Sequence, residues 1–322
     1  MCLAISIFSL QDAFVKLVSG AYPIHQVLFI RCVIALPILV IFAKHSGGLV
    51  RIFRGNVRLL LLRGFILIFS YGAYYSSLPV LKLADAMALN STSVLFVSLF
   101  TAIFLGEPVT KARAGAIVVG FAGVIIMLRP GSGVFEPASL LPVVAAIAYA
   151  VGQTIVRRIG LSEPAPVISF YQNLVFFIAA GILGLAVHLG LHVQSTHPTI
   201  SFIFRDWQMP TANDFLLMAG CGPIAAIGTT MLSNAYRTAQ ASLVAPFEYT
   251  WLLWAGLWGF LIWGDIPGPW TYFGAALIAG SGIFLMVIVS RQNAQKGDRS
   301  PSRPAPMAHS SSASALLGPE DP

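Results

Sequence analysis

The chain has 322 residues, of which 57% are hydrophobic and 10% charged, against about 25% charged in an ordinary soluble domain. A soluble protein of this length needs far more surface charge, so composition sets aside a soluble bundle and indicates a polytopic helical membrane protein. The formal net charge of +7 does not point to nucleic acid, because the cations sit in the connections between apolar runs.

Apolar runs between turn signals give ten expected spans, at about 2–19, 25–43, 59–78, 83–105, 111–128, 138–157, 167–189, 213–235, 241–263 and 268–289. No cleavable signal peptide is expected, since the first run begins at Met1 and includes Asp12 and Lys16; whether residues precede Met1 is left open. Asp12 in the first span and Arg31 in the second lie equally far from the turn at Ala21-Tyr22, which places them at similar depth. Lys16 is one helical turn from Asp12. The expectation is an intramembrane ion-pair cluster of Asp12, Lys16 and Arg31 fixing a hairpin, with a substrate or proton role as the alternative. Arg63, near the start of the third span, is expected to snorkel to the interface. Cys2, Cys32 and Cys221 lack metal spacing and read as small packing residues.

Further along, Tyr71, Tyr74 and Tyr75 share one helix with Gly72, and ALNSTS places Asn90 to Ser93 inside the fourth span. Glu107 and Asp265 each follow a glycine at a helix end and read as structural acids near the interface. Tyr149 with Gln153, and Tyr171-Gln172-Asn173, are further candidates to line a cavity. His188 and His192 have a spacing that permits a metal pair, but with His197 they fall at a loop, and no metal or other cofactor is expected. Glu248 is the most informative residue. Its span starts near Ala241, so it lies about seven residues, roughly 10 Å, inside the membrane. Pro246 removes a backbone donor nearby, as in the broken helices of transporter sites. Glu248 is expected to face a central cavity, pairing with a cationic substrate group or carrying a coupling proton; the alternative ties it to Arg63 or Arg237. Trp251, one turn on, is a candidate cavity wall, and Trp254 and Trp258 follow on the same side. The expected substrate-lining set is Glu248, Tyr249, Trp251, Asn90, Ser91, Tyr74, Tyr75, Gln153 and Asn173. After Ser290 the sequence turns polar and rich in proline and serine, so residues 291–322 are expected to be a disordered tail.

Alternate connections carry unequal charge. One side holds Lys44, Arg51, Arg54, Arg58, Lys111, Arg113, Arg157, Arg158, Arg237, Arg291, Lys296, Arg299 and Arg303; the other holds only Lys82, Arg129 and Arg205. The positive-inside rule then places both termini in the cytoplasm.

The segments ADAMALNSTSVLFVSLFTAIFLGEPVTKARAGAIVVGFAGVIIM (84–127) and AQASLVAPFEYTWLLWAGLWGFLIWGDIPGPWTYFGAALIAGSGIFLM (239–286) run in parallel. Each passes through an apolar helix to Gly-acidic and then into a Gly/Ala-rich helix, with Gly115 and Gly123 matching Gly274 and Gly282. Ala116-Gly120 and Ala275-Ala279 are small-residue spacings for close helix packing. Each copy ends a five-span half. Five is odd, so the second copy is expected to be inverted, as in transporters with a site near the midplane. The pattern ALNSTS…FLGE…G…G…RPG resembles the EamA domains of the drug/metabolite transporter superfamily. That resemblance implies an all-α integral membrane protein of ten helices as two inverted five-helix repeats (2–129 and 138–289). It also implies a central cavity and transport of small organic metabolites without ATP. SLVAPFEYT followed by GDIP is similar to the branch containing S-adenosylmethionine carriers.

The expected function is secondary transport of a small organic metabolite by gradient coupling or exchange, in a bacterial inner membrane. Within transport, an uptake carrier of the S-adenosylmethionine type stands against a metabolite or amino-acid exporter. An intramembrane enzyme is disfavoured, because neither GxSxG nor HExxH occurs, and a channel is disfavoured for want of a continuous polar helix face. The expected partners are the metabolite, membrane lipid and, in a homodimer, a second copy of the chain.

Overall fold

Apolar runs punctuated by glycine and proline fold into helices, the form in which an apolar segment satisfies its own backbone. A computed structural model describes the backbone of residues 1–105, 111–128, 136–190, 197–239 and 241–298, and among them there are helices and no strands. The helices are α1 (Cys2–Val18), α2 (Ile24–His45), α3 (Arg51–Arg54), α4 (Val57–Ser77), α5 (Leu83–Asn90), α6 (Ser93–Leu105) and α7 (Lys111–Leu128). They continue as α8 (Leu140–Ile159), α9 (Ala165–His188), α10 (Pro198–Phe204), α11 (Ala212–Thr238), α12 (Ala241–Val244), α13 (Thr250–Trp263) and α14 (Pro269–Asp298).

Seven helical stretches among the described residues are long and apolar enough to cross a membrane. The other three expected spans have identifiable reasons for falling short. Helix α1 has 17 residues, the apolar part of α7 is Ala114–Leu128, and the ninth span is broken into α12, a 3₁₀ turn at Ala245–Tyr249, and α13. Helix α14 continues to Asp298, past the point where the sequence expects the polar tail to begin. Glu107, Arg129, His192 and residues 299–322 lie outside the described residues.

Two spans break in mid-course. Between α5 and α6, Ser91 Oγ donates to the Met87 carbonyl at 2.8 Å and Thr92 Oγ1 to the Leu89 carbonyl at 2.7 Å. These hydroxyls compete with the backbone ladder and serve carbonyls at the interruption. In the ninth span Pro246 has no N–H to give, and the chain tightens into the 3₁₀ turn. At the end of α13, Gly264 takes the left-handed conformation (φ 65°) that closes a helix and releases the chain.

The packing does not follow chain order. Helix α11 lies against both α1 and α2, which are not packed side by side. A Cβ on Gly228 would meet Phe8 of α1 at 2.9 Å, and one on Gly222 would meet Ile34 of α2 at 2.6 Å. The expected α1–α2 hairpin is therefore opened by a third helix. Helix α4 lies against α8 and α9, α6 against α8, α13 against α1, and α2 against α9.

Helices α7 and α14 make the most extensive pairing and cross at Gly123 and Gly274, where a Cβ on either would lie 2.7 Å from the other's carbonyl oxygen. Gly120 faces Ser281 while Met127 faces Gly274, so the two helices run antiparallel. The matched glycines thus act at different contacts: Gly115 has open space, and Gly282 receives the ring of Tyr249. A leucine at 123 would force the backbones apart. Gly123→Leu is expected to destabilise the protein by about 1–3 kcal/mol, as overpacked cores do, whereas Gly115→Ala should leave the midpoint within error of wild type. Thermal unfolding of both purified variants in detergent checks this.

Candidate functional site

A charged group placed in an apolar helix must find polar partners on its neighbours or stay costly. The central helices carry four such groups, Asp12 on α1, Arg31 on α2, Arg63 on α4 and Glu248 in the 3₁₀ turn, each no more than 2% exposed.

Glu248 is held by hydroxyls. Its Oε1 accepts from Tyr149 of α8 at 2.8 Å and from Tyr236 of α11 at 2.6 Å, and its Oε2 has a longer contact from Ser93 Oγ at 3.4 Å. The break in the ninth span aims the carboxylate at these groups, and Ser93 stands directly after the break in the fourth. Neither Arg63 nor Arg237 is its partner. Arg63 donates from Nη1 to Gln172 Oε1 at 2.9 Å and is fully buried rather than snorkelling, because α4 carries it against α9. Arg237 donates to the Glu163 carbonyl and to Asn234.

Asp12 accepts from Trp251 Nε1 at 2.8 Å. Arg31 donates from Nη2 to Asn173 Oδ1 at 3.4 Å and lies over the rings of Tyr71 and Phe176, 5.7 and 5.5 Å from their centres. Lys16 Nζ donates to the Leu81 carbonyl at 2.7 Å, 5.1 Å above the ring of Trp263. The expected Asp12–Lys16–Arg31 cluster is therefore not formed: the three side chains take separate partners. Equal distance from a turn fixes depth but not the direction a side chain faces, and α11 standing between α1 and α2 separates the two.

Where α1, α4, α5, α8 and α13 converge, a cavity of about 20 Å³ is lined by Phe8, Asp12, Ser70, Tyr71, Tyr74, Tyr75, Asn90, Tyr149 and Trp251. That is room for about one water molecule. Of the expected set, Tyr74, Tyr75, Asn90 and Trp251 line it, joined by Asp12. Tyr74 turns a buried hydroxyl without a partner into this region. Glu248 stands one tyrosine behind the wall, since Tyr149 both lines the cavity and donates to it. The others lie elsewhere. Tyr249 packs on Gly282, Ser91 serves the Met87 carbonyl, Asn173 serves Arg31, and the buried Gln153 is not in the wall. Phe8, Ser70 and Tyr236 are absent from the expectation: Phe8 is one apolar residue among many, and no local pattern marks Ser70 or Tyr236.

Both ends of the bundle are tied across its halves. At one end, Gln26 Nε2 donates to the Gln208 carbonyl at 2.6 Å and its Oε1 accepts from Gln208 N at 3.2 Å. Trp207 Nε1 donates to His25 Nδ1 at 2.6 Å, and Tyr22 donates to Asp214 at 2.8 Å. At the other end, Glu163 Oε1 accepts from Asn56 N at 3.0 Å and Arg51 donates to the Ser162 carbonyl, while within the second half Arg237 Nη1 donates to the Glu163 carbonyl at 2.8 Å.

Residues 1–129 match the EamA-like transporter family. The pseudopaline exporter of Pseudomonas aeruginosa is 26% identical over 84% of this chain and 89% of its own length. A riboflavin transporter of Rhizobium johnstonii is 30% identical over 71% of this chain and 68% of its own. An S-adenosylmethionine uptake transporter of Rickettsia bellii is 23% identical over 80% of each chain. With its bundle of membrane-spanning helices around a central polar cavity, this is a multi-pass transporter of small metabolites rather than an enzyme, and the chain belongs to the EamA-like transporter family.

Proposed function

We propose that the protein is a secondary transporter that binds the cationic group of a small organic metabolite at Asp12 and carries its coupling proton on Glu248. The observation that carries this reading is the central cavity, in which one carboxylate faces aromatic rings and a second lies one hydroxyl away. Trp251 donates to one oxygen of Asp12, the hydroxyls of Tyr74 and Tyr75 stand beside the carboxylate, and the faces of Tyr71, Tyr74 and Trp251 suit a cation. The names of the relatives agree in kind, since they describe carriers of small organic molecules.

Glu248 suits the proton. Its hydrogen-bond partners among the described residues are all hydroxyls, so a proton on Oε2 has Ser93 Oγ to receive it and leaves both tyrosine bonds intact. Tyr149, touching both the cavity and Glu248, relays between substrate and proton. Substrate entry on one side and release on the other follow from opening one tied end at a time.

Ten crossings arranged as two inverted units fit the packing. α4 on α8 and α9 is mirrored by α11 on α1 and α2, and α6 on α8 by α13 on α1. The pairs α2–α9 and α7–α14 are their own counterparts, and both broken spans meet at their breaks, where Ser93 reaches Glu248. The charge bias of the connections places both termini in the cytoplasm, and a bacterial inner membrane is the corresponding location. Reporter fusions after residue 290 should read cytoplasmic and fusions near Thr199 external; the reverse result rejects the orientation.

Transport assays in proteoliposomes with a metabolite panel separate the two carboxylates. Glu248→Gln should still bind substrate and exchange it across the membrane but lose uphill transport and its pH dependence. Asp12→Asn should instead weaken substrate binding at least tenfold. Wild-type rate and pH profile in a correctly inserted Glu248→Gln variant would remove the glutamate from the mechanism.

A further inference from the structure

Helix α4 separates two spaces. Tyr71, Tyr74 and Tyr75 face the central cavity, while Phe69, Gly72 and Ser76, on the other side of the helix, face a crevice bounded by α2, α8, α9 and α10. This crevice has a volume of about 370 Å³, within the range of ligand sites, whereas the central cavity is closed down to the size of a water. It lies where the starts of α2 and α8 meet the ends of α4 and α9, hence at one end of the bundle.

Its chemistry is specific. Leu28, Phe69, Val144 and Leu183 supply an apolar wall, and Phe69 and Val144 are 61% and 39% exposed, so the crevice opens sideways onto the hydrocarbon. The one titratable lining residue, His25, is engaged at both ring nitrogens: Trp207 donates to Nδ1, which leaves Nε2 to donate to the Arg205 carbonyl at 3.2 Å. The ring is therefore neutral, and nothing in the lining attracts a charged ligand. Ser76 is satisfied by the Gly72 carbonyl. Thr199 is different. It is 9% exposed, lines the crevice, and its Oγ1 has no partner. A buried hydroxyl left unpaired is costly and calls for an acceptor or donor that the protein does not supply.

We infer that this crevice holds one acyl chain of a membrane phospholipid, with an ester carbonyl accepting from Thr199 Oγ1. The polar residues sit at the end of the bundle where a lipid's glycerol backbone lies. The apolar wall extends toward the membrane interior, as its acyl chain does. A phospholipid matches both, and the membrane supplies it in excess. The bound chain fills the groove behind α4 and supports the helix that carries the cavity's tyrosines.

Gly72 gives a clean test, because a Cβ placed there meets nothing within 4 Å. A leucine at 72 starts from that open position and fills part of the crevice. Wild type, Gly72→Leu and Thr199→Val are reconstituted in vesicles of palmitoyl-oleoyl phosphatidylethanolamine and phosphatidylglycerol, extracted, and examined by native mass spectrometry with thermal unfolding as a check on folding. Wild type should retain one phospholipid through detergent exchange. Gly72→Leu should lose it, and Thr199→Val should retain it about fivefold less well, the equivalent of one net hydrogen bond. Wild type that sheds all phospholipid, or carries only a fatty acid or detergent, overturns the inference. So does a folded Gly72→Leu that retains lipid like wild type. Should Gly72→Leu fail to insert, Thr199→Val decides, and unchanged retention there overturns it as well.

Discussion

Four charged side chains are buried among the central helices, and none of them neutralises another by direct contact. Asp12 is held by an indole, Glu248 by two phenols and a serine, Arg31 by an amide and two ring faces, and Arg63 by an amide. Tyr71 lies within electrostatic range of all four. Neutral donors and acceptors can satisfy a charge without cancelling it, which is what the substrate and proton roles proposed for Asp12 and Glu248 require. A tight ion pair between Asp12 and Arg31 would instead consume the binding charge and lock it, since separating a buried pair is strongly unfavourable. Arg31 remains near enough to act on Asp12 through space. Its Nε and Nη1 are buried without partners, which leaves positive charge within electrostatic reach of Asp12.

The arrangement of helices follows from that requirement. Hydroxyl partners for Glu248 must come from α8, α11 and α6 at once, so the turn carrying it has to sit where those helices converge. An unbroken ninth span would carry it past them. Pro246 and the 3₁₀ turn set it there, and the hydroxyl-rich break between α5 and α6 meets it from the opposite side. Irregular backbone at membrane depth is tolerated because it is covered by protein.

Much of this was legible in the sequence, and the limits have physical causes. Helix existence was readable because each apolar run must satisfy its own backbone, and the break in the ninth span was readable from Pro246. Glu248 stood out as a charge in an apolar run. What failed was azimuth and partnership. Asp12 and Arg31 were expected at similar depth, but their pairing required α1 and α2 to be neighbours, and chain order cannot reveal that α11 lies against both. Arg63 was expected to reach the interface because its depth is shallow, yet Gln172 on α9 offered a partner inside. Asn173 and Gln153 are both buried, but Asn173 serves Arg31 and Gln153 stands outside the cavity wall. Tyr236 could not be singled out, because its role exists only once α11 is laid beside the 3₁₀ turn.

The closed ends and the closed cavity have one consequence for movement. The space around Asp12 holds about a single water, so a substrate enters only if helices lining it separate. The ties at either end are a few hydrogen bonds in partly exposed positions, each of modest net strength because water replaces it on opening. The crossing of α7 and α14 is of another kind, a backbone-to-backbone contact at Gly123 and Gly274 with no side chain to yield. Parting it would forfeit the close packing of two backbones, which lipid chains cannot reproduce at that separation. Opening is therefore cheapest at the ends, where α2, α11 and the connections before α4 and after α8 carry the ties, while α7 and α14 stay fixed. Of the tied helices, α2 bears Arg31 and α11 bears Tyr236, a hydroxyl partner of Glu248. Opening either end thus alters the surroundings of both carboxylates, and under the proposed roles of Asp12 and Glu248 that change would couple substrate to proton.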